Sequence, residues 1–143
     1  MNTVDVYGGQ KHQREIAEKV VWRMIYELMP RMRTLDINVE IKKLKGDAYG
    51  WCLMADEKGR EFELEISSQL PLRDFVSTIC HEMIHVKQYA YKEMDGEIMH
   101  GETLRWKKGK VKKGTSYYDL PWEKEAYRLQ DKYADLIWDS NIL

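Results

Sequence analysis

The stretch Ser77-Thr-Ile-Cys-His-Glu-Met-Ile-His-Val-Lys-Gln-Tyr89 holds the five residues His81-Glu82-Met83-Ile84-His85, two histidines four apart with a glutamate beside the first. A helix turns by about 100° per residue, so His81 and His85 stand one turn apart on one face. Their imidazoles can converge on a single ion. Glu82 sits beside the first histidine, where its carboxylate reaches an attacking water rather than the ion. Five letters alone are a weak signal, and two idle histidines on a helix edge would fit them too. The flanking residues favour the metal. Ile79 and Met83 put both imidazoles near an apolar face. Buried imidazoles need polar partners, and one ion satisfies both.

Outward from this motif the pattern changes period. Pro71 suits the first turn of a helix expected over 71–92, with Val76, Ile79, Cys80, Met83 and Ile84 packed inward. Three alternating segments precede it. They are Leu35–Ile41, Ala48–Met54 and Glu61–Ile66, and Asp56-Glu-Lys-Gly59 reads as a hairpin loop between the last two. Before them, Ile16, Val20, Met24 and Leu28 recur every four residues and predict a helix over 10–29, ended by Pro30. Residues 1–9 read as a lead-in ending at Gly8-Gly9. After the motif, 96–118 has no regular pattern. Pro121 then opens a last helix with the stripe Trp122, Ala126, Leu129, Tyr133 and Ile137. The expected fold class is α+β in one domain over 1–143. It has an N-terminal helix, a three-stranded mainly antiparallel sheet with one wet face, the motif helix and a C-terminal helix.

A catalytic metal site needs a third protein donor. Glu123 is one candidate, in Leu120-Pro-Trp-Glu-Lys-Glu-Ala-Tyr127. It begins a predicted helix, and the small Ala126 one turn on allows close packing against the motif helix. Glu125 points about 200° away from Glu123 on that helix, so both should not serve. The other candidate is His100, in His100-Gly-Glu-Thr-Leu-Arg-Trp106, 15 residues after His85. As an ordinary loop histidine it would do nothing.

The chain has 143 residues and a formal net charge of -1, which gives no whole-protein case for nucleic-acid or membrane binding. Locally, Lys107, Lys108, Lys110, Lys112 and Lys113 follow Trp106. Lys107–Lys113 reads as a solvated loop or as a weak phosphate contact with Trp106 stacking on a base. Cys52 and Cys80 lack metal-ligand spacing and read as two buried thiols, which points to a reducing, cytoplasmic setting. The polar residues 1–15 carry no secretory h-region, and no apolar run approaches the roughly 18 residues of a membrane span. Trp138 could serve an interface or the core, and the sequence leaves the oligomeric state open.

The motif followed by Glu123-Lys-Glu-Ala126 resembles the gluzincin group of zinc metallopeptidases, especially its minimal single-domain members. Several families there carry Glu-x-x-Ala in the second helix. The fuller string, HEMIHVKQYAY through Trp106 to Tyr-Tyr-Asp-Leu-Pro-Trp-Glu-Lys-Glu-Ala-Tyr127, is similar to small uncharacterised phage and bacterial metallopeptidase-like proteins. The resemblance spans about residues 75–130. It implies a zincin-like fold and Zn2+ on His81, His85 and Glu123. It also implies peptide-bond hydrolysis with Glu82 as general base. Many of these proteins put Asp or Asn after the alanine, where this chain has Tyr127, so the group supporting the ligands is unidentified. A second resemblance is to SprT-like proteases, some of which cleave DNA-bound proteins. His81-Glu-Met-Ile-His85 with His100-Gly101 matches that arrangement, with His100 as third ligand. This chain lacks the cysteine-rich module many of them carry. A zinc-containing structural or DNA-associated protein without turnover is the remaining class. Glu82 argues against it, because a structural zinc site has four protein ligands and no use for this acid.

The developing oxyanion also needs a donor, for which Tyr117, Tyr118 and His100 are the candidates. Residues 61–66 are expected to border the cleft, as the corresponding strand does in zincins. Glu61, Glu63 and Glu65 there would favour basic or neutral substrates, or form an ordinary solvated face.

Overall fold

The chain is described by a computed structural model covering residues 1–95, 105–107, 109–111 and 115–143. Strand β1, Thr3–Gly8, enters helix α1, Lys11–Leu28, which leads to β2, Asp36–Lys42. The hairpin β3, Gly50–Met54, and β4, Glu61–Ser67, follows. Helix α2, Leu72–Ala90, carries the motif. Three two-residue strands form a small second sheet: β5 at Met94–Asp95, β6 at Arg105–Trp106 and β7 at Gly109–Lys110. A 3-10 turn at Tyr117–Asp119 then opens into α3, Pro121–Asp139.

The main sheet corrects the expected three-stranded, mainly antiparallel one. It has four strands in the order β1-β2-β4-β3. β1 pairs parallel with β2, and β2 pairs parallel with β4 (Val6↔Val39↔Leu64). Only β3 and β4 are antiparallel, with Cys52 opposite Leu64. The hairpin was legible because its loop is short and turn-rich. The parallel pairs were not, because alternation gives each strand a wet and a dry face but says nothing of its neighbour or direction. The lead-in is itself a strand. Val4 and Val6 alternate too briefly to announce it. Gly8, at φ 81, ends it; a side chain there would put its Cβ 2.3 Å from the Ile41 carbonyl oxygen.

One face of the sheet is covered, as the alternation requires. Ile37, Val39, Ile41, Phe62, Leu64 and Ile66 point into the core with 1% exposure or less. They meet Ala17, Val20, Val21 and Met24 of α1, and Phe75, Val76, Ile79 and Met83 of α2. Helix α3 packs chiefly on α2. Ala126 is fully buried, as its small size in the stripe suggested. The other sheet face is wet, and Glu61, Glu63 and Glu65 lie on it. Asn38 donates to Glu63 at 3.2 Å, and Lys42 pairs with Glu65 at 2.9 Å. No helix among the described residues is long and apolar enough to cross a membrane.

Candidate metal centre

Helix α2 lies between sheet and α3, so its motif face is buried. His81, Glu82 and His85 are 7%, 6% and 4% exposed. Pro121 sets the first turn of α3 and brings Glu123, 2% exposed, onto that face. Glu123 Oε1 stands 3.0 Å from His81 Nε2 and 3.1 Å from His85 Nε2, and the two nitrogens are 3.2 Å apart. Among the described residues His81, His85 and Glu123 form a group that could hold a metal ion. Glu125, two residues on, faces Gln88 and Lys107 instead, as the helical angle required. His100 and Gly101 lie outside the described residues.

The far side of each imidazole is held by a glutamine. Gln130 Oε1 lies 2.7 Å from His81 Nδ1, and Gln88 Oε1 lies 2.7 Å from His85 Nδ1. The orientation of Gln88 is fixed independently, because its amide nitrogen donates to the Trp122 carbonyl at 3.0 Å and to Glu125 at 3.2 Å. An amide oxygen only accepts, so each histidine donates from Nδ1 and a neutral ring keeps a bare lone pair on Nε2. Three acceptors then converge with no donor between them, an arrangement that calls for a cation. Donors around a tetrahedral zinc at roughly 2.0–2.1 Å stand about 3.3 Å apart. The observed triangle of 3.0, 3.1 and 3.2 Å needs to open only slightly to accept the ion.

The charges agree. Burial pushes the His85 pKa down, but the hydrogen bond and charge of Glu123 outweigh it and raise it to about 9. Burial also works against ionised Glu123, yet its bonds to His81 and His85 hold it at about 2. Without a metal, a proton occupies part of the space a dication would neutralise. Glu82 is raised from its ordinary value, mainly by burial and against the pull of His85 and His81. A carboxyl raised this way is suited to general acid–base work.

Strand β3 closes over Glu82. A Cβ on Gly50 would lie 3.3 Å from Glu82 Oε2 and 2.9 Å from Thr78 Cγ2. Only glycine lets the strand run this close. The strand bordering the cleft is therefore β3, not the expected 61–66. β4 is paired on both sides and has no free edge. The cleft, about 630 Å³, runs past Tyr49, Gly50, Trp51, His81, Glu82 and Gln130.

Tyr127, in the place of the expected Asp or Asn, sets its ring edge-on to His81 at 4.6 Å. Burial first, then the Glu123 charge and Tyr127, holds the Tyr117 pKa above the ordinary value. Tyr118 is 70% exposed and touches both tyrosine rings. Cys52 and Cys80 are free and buried, as expected. Burial, followed by the charges of Glu82 and Glu123, keeps the Cys52 thiol well above its usual range, and burial raises Cys80 to about 12. Of the basic run, Lys107 reaches Glu125 at 3.4 Å and lies over the Trp106 ring, which packs toward Trp122. That leaves neither well placed for a nucleic acid. Lys108, Lys112 and Lys113 lie outside the described residues.

Sequence reasoning missed Gln88, Gln130 and Gly50. Two of them carried a signal. Gln88 is three residues after His85 and Gln130 seven after Glu123, each on the face of the residue it accompanies. Gly50 had none, because its neighbour is set by strand order. No family model matches the chain, and neither a curated protein nor a solved structure matches it.

Proposed function

We propose that the chain is a gluzincin-like zinc metallopeptidase, acting as an endopeptidase. His81, His85 and Glu123 are its metal ligands and Glu82 its general base. The carrying observation is the buried triangle of two bare Nε2 atoms and one carboxylate oxygen, 3.0–3.2 Å on a side. Bound there, Zn2+ supplies a Lewis acid and lowers the pKa of water in the open position. Glu82, raised by burial, takes a proton from the attacking water and hands it to the leaving amine. Gln130 and Gln88 hold the imidazoles in the metal-binding tautomer. The Tyr117 hydroxyl, already beside Glu123, is the donor to the developing oxyanion. The free edge of β3 offers backbone groups to an extended peptide.

Zinc per chain, measured by elemental mass spectrometry on wild type, Glu123→Ala and His100→Ala, tests the ligand set. The expected result is about one zinc in wild type and in His100→Ala, and none in Glu123→Ala. Loss in His100→Ala alone would move the site to the SprT-like arrangement. No specific metal in metal-replete wild type would end the peptidase reading.

A further inference from the structure

The cleft of the proposed peptidase is acidic, as is the wet sheet face lined by Glu40, Glu63 and Glu65. Among the described residues the cleft walls carry the carboxylates of Asp47, Asp74 and Glu82 and no lysine or arginine. Asp47 is exposed in the turn before β3, and Asp74 is half-buried in the first turn of α2. Neither has an ion-pair partner among the described residues, whereas Glu63, Glu65 and Glu123 each have a partner. A dication on the metal triangle is balanced by Glu82 and Glu123. Asp47 and Asp74 then leave the mouth anionic. The same cleft is lined by the exposed aromatics Tyr49, just before β3, and Tyr118. Such walls take a long aliphatic stem along their faces and attract a cation at its end.

We infer that Asp47 and Asp74 determine specificity, and that the preferred substrate carries lysine or arginine beside the scissile bond. The inference rests on the peptidase reading and adds the substrate class to it. It replaces the expectation attached to Glu61, Glu63 and Glu65, which lie on the opposite face of the sheet. An acid in the first turn also stabilises a helix. That purely structural role for Asp74 predicts a change in melting temperature and none in selectivity.

The test uses zinc-loaded protein and three short peptide hydroxamates that anchor on the metal. They differ in one side chain: lysine, norleucine or glutamate. Calorimetry reads the affinities, and zinc content is measured on the same samples. Lysine should bind about tenfold tighter than norleucine, the gain falling as salt rises, and glutamate should bind weakest. In Asp47→Asn/Asp74→Asn the lysine-to-norleucine ratio should fall to about one. Asp47→Asn alone, outside any helix, should lower the ratio by itself even where Asp74→Asn weakens the fold. Equal affinities in zinc-loaded wild type overturn this inference and leave the peptidase reading standing. So does a ratio that the double variant does not change. A wild type that binds no zinc overturns the peptidase reading and this inference with it.

Discussion

Helices α2 and α3 have the same length and together form the candidate metal centre, but they are buried to different degrees. α2 buries 14 of its 19 residues, because the sheet lies on one side of it and α3 on the other. α3 buries five, Trp122, Glu123, Ala126, Ala134 and Ile137, and presents the rest to solvent. Two of the three candidate metal donors therefore sit in a helix gripped on two sides. The third depends on one helix–helix seam, in which Ala126 is fully buried. The motif helix carries both imidazoles within the core, while α3 supplies a carboxylate and an orienting amide from a largely solvent-facing helix.

The largest effects should separate chemistry on α2 from metal capture on α3. Glu82→Gln should keep zinc and lose hydrolysis by at least about a thousandfold, since the base is removed and no ligand is touched. Glu123→Ala should lose the zinc itself. Metal content beside the rate of a fluorogenic peptide reads both. A variant Glu82→Gln that stays active would remove Glu82 from the chemistry.

Core truncation should show the difference in packing. Ile79→Ala on α2, fully buried, should cost about 3 kcal/mol in denaturant unfolding. Leu136→Ala on α3, 37% exposed, should stay within about 0.5 kcal/mol. Equal costs would mean that α3 contributes more to the fold than its burial indicates.

The glutamines sharpen the comparison further. Gln88→Ala and Gln130→Ala should each weaken zinc affinity by about 10–100-fold, measured by chelator competition. Gln88→Ala should be the worse of the two, because it also removes the bonds that tie α2 to the Trp122 carbonyl and Glu125 of α3.

A further effect is one of pH. In the metal-free protein His85 titrates at about 9 instead of its ordinary 6.5. A raised folded pKa contributes stability that is fully present below 6.5 and lost as pH rises through about 9. Glu123, at about 2, contributes stability present above 4.5 and lost as pH falls toward 2. Melting of the metal-free chain should therefore fall between neutral and alkaline pH. Zinc should abolish that slope, since it replaces the His85 proton.

Local pattern carried much of this protein. His81, Glu82 and His85 were legible because a helix repeats every three to four residues and places i and i+4 together. Glu123 was legible because Pro121 and the Trp122-Ala126-Ile137 stripe set the facing of α3. The core faces of α1, α2, β2 and β4 followed in the same way. Everything that depended on which strand lies beside which was decided only in three dimensions. Period-two alternation in Glu61–Ile66 assigns its residues to faces but not to an edge or a centre, so β4 read as the border of the cleft while β3 holds that place. The sheet's parallel pairs, the strand hidden in Thr3–Gly8 and the need for glycine at position 50 share that cause. Sequence periodicity reports what a segment does to itself. Neighbours arise from closing the whole chain around its core.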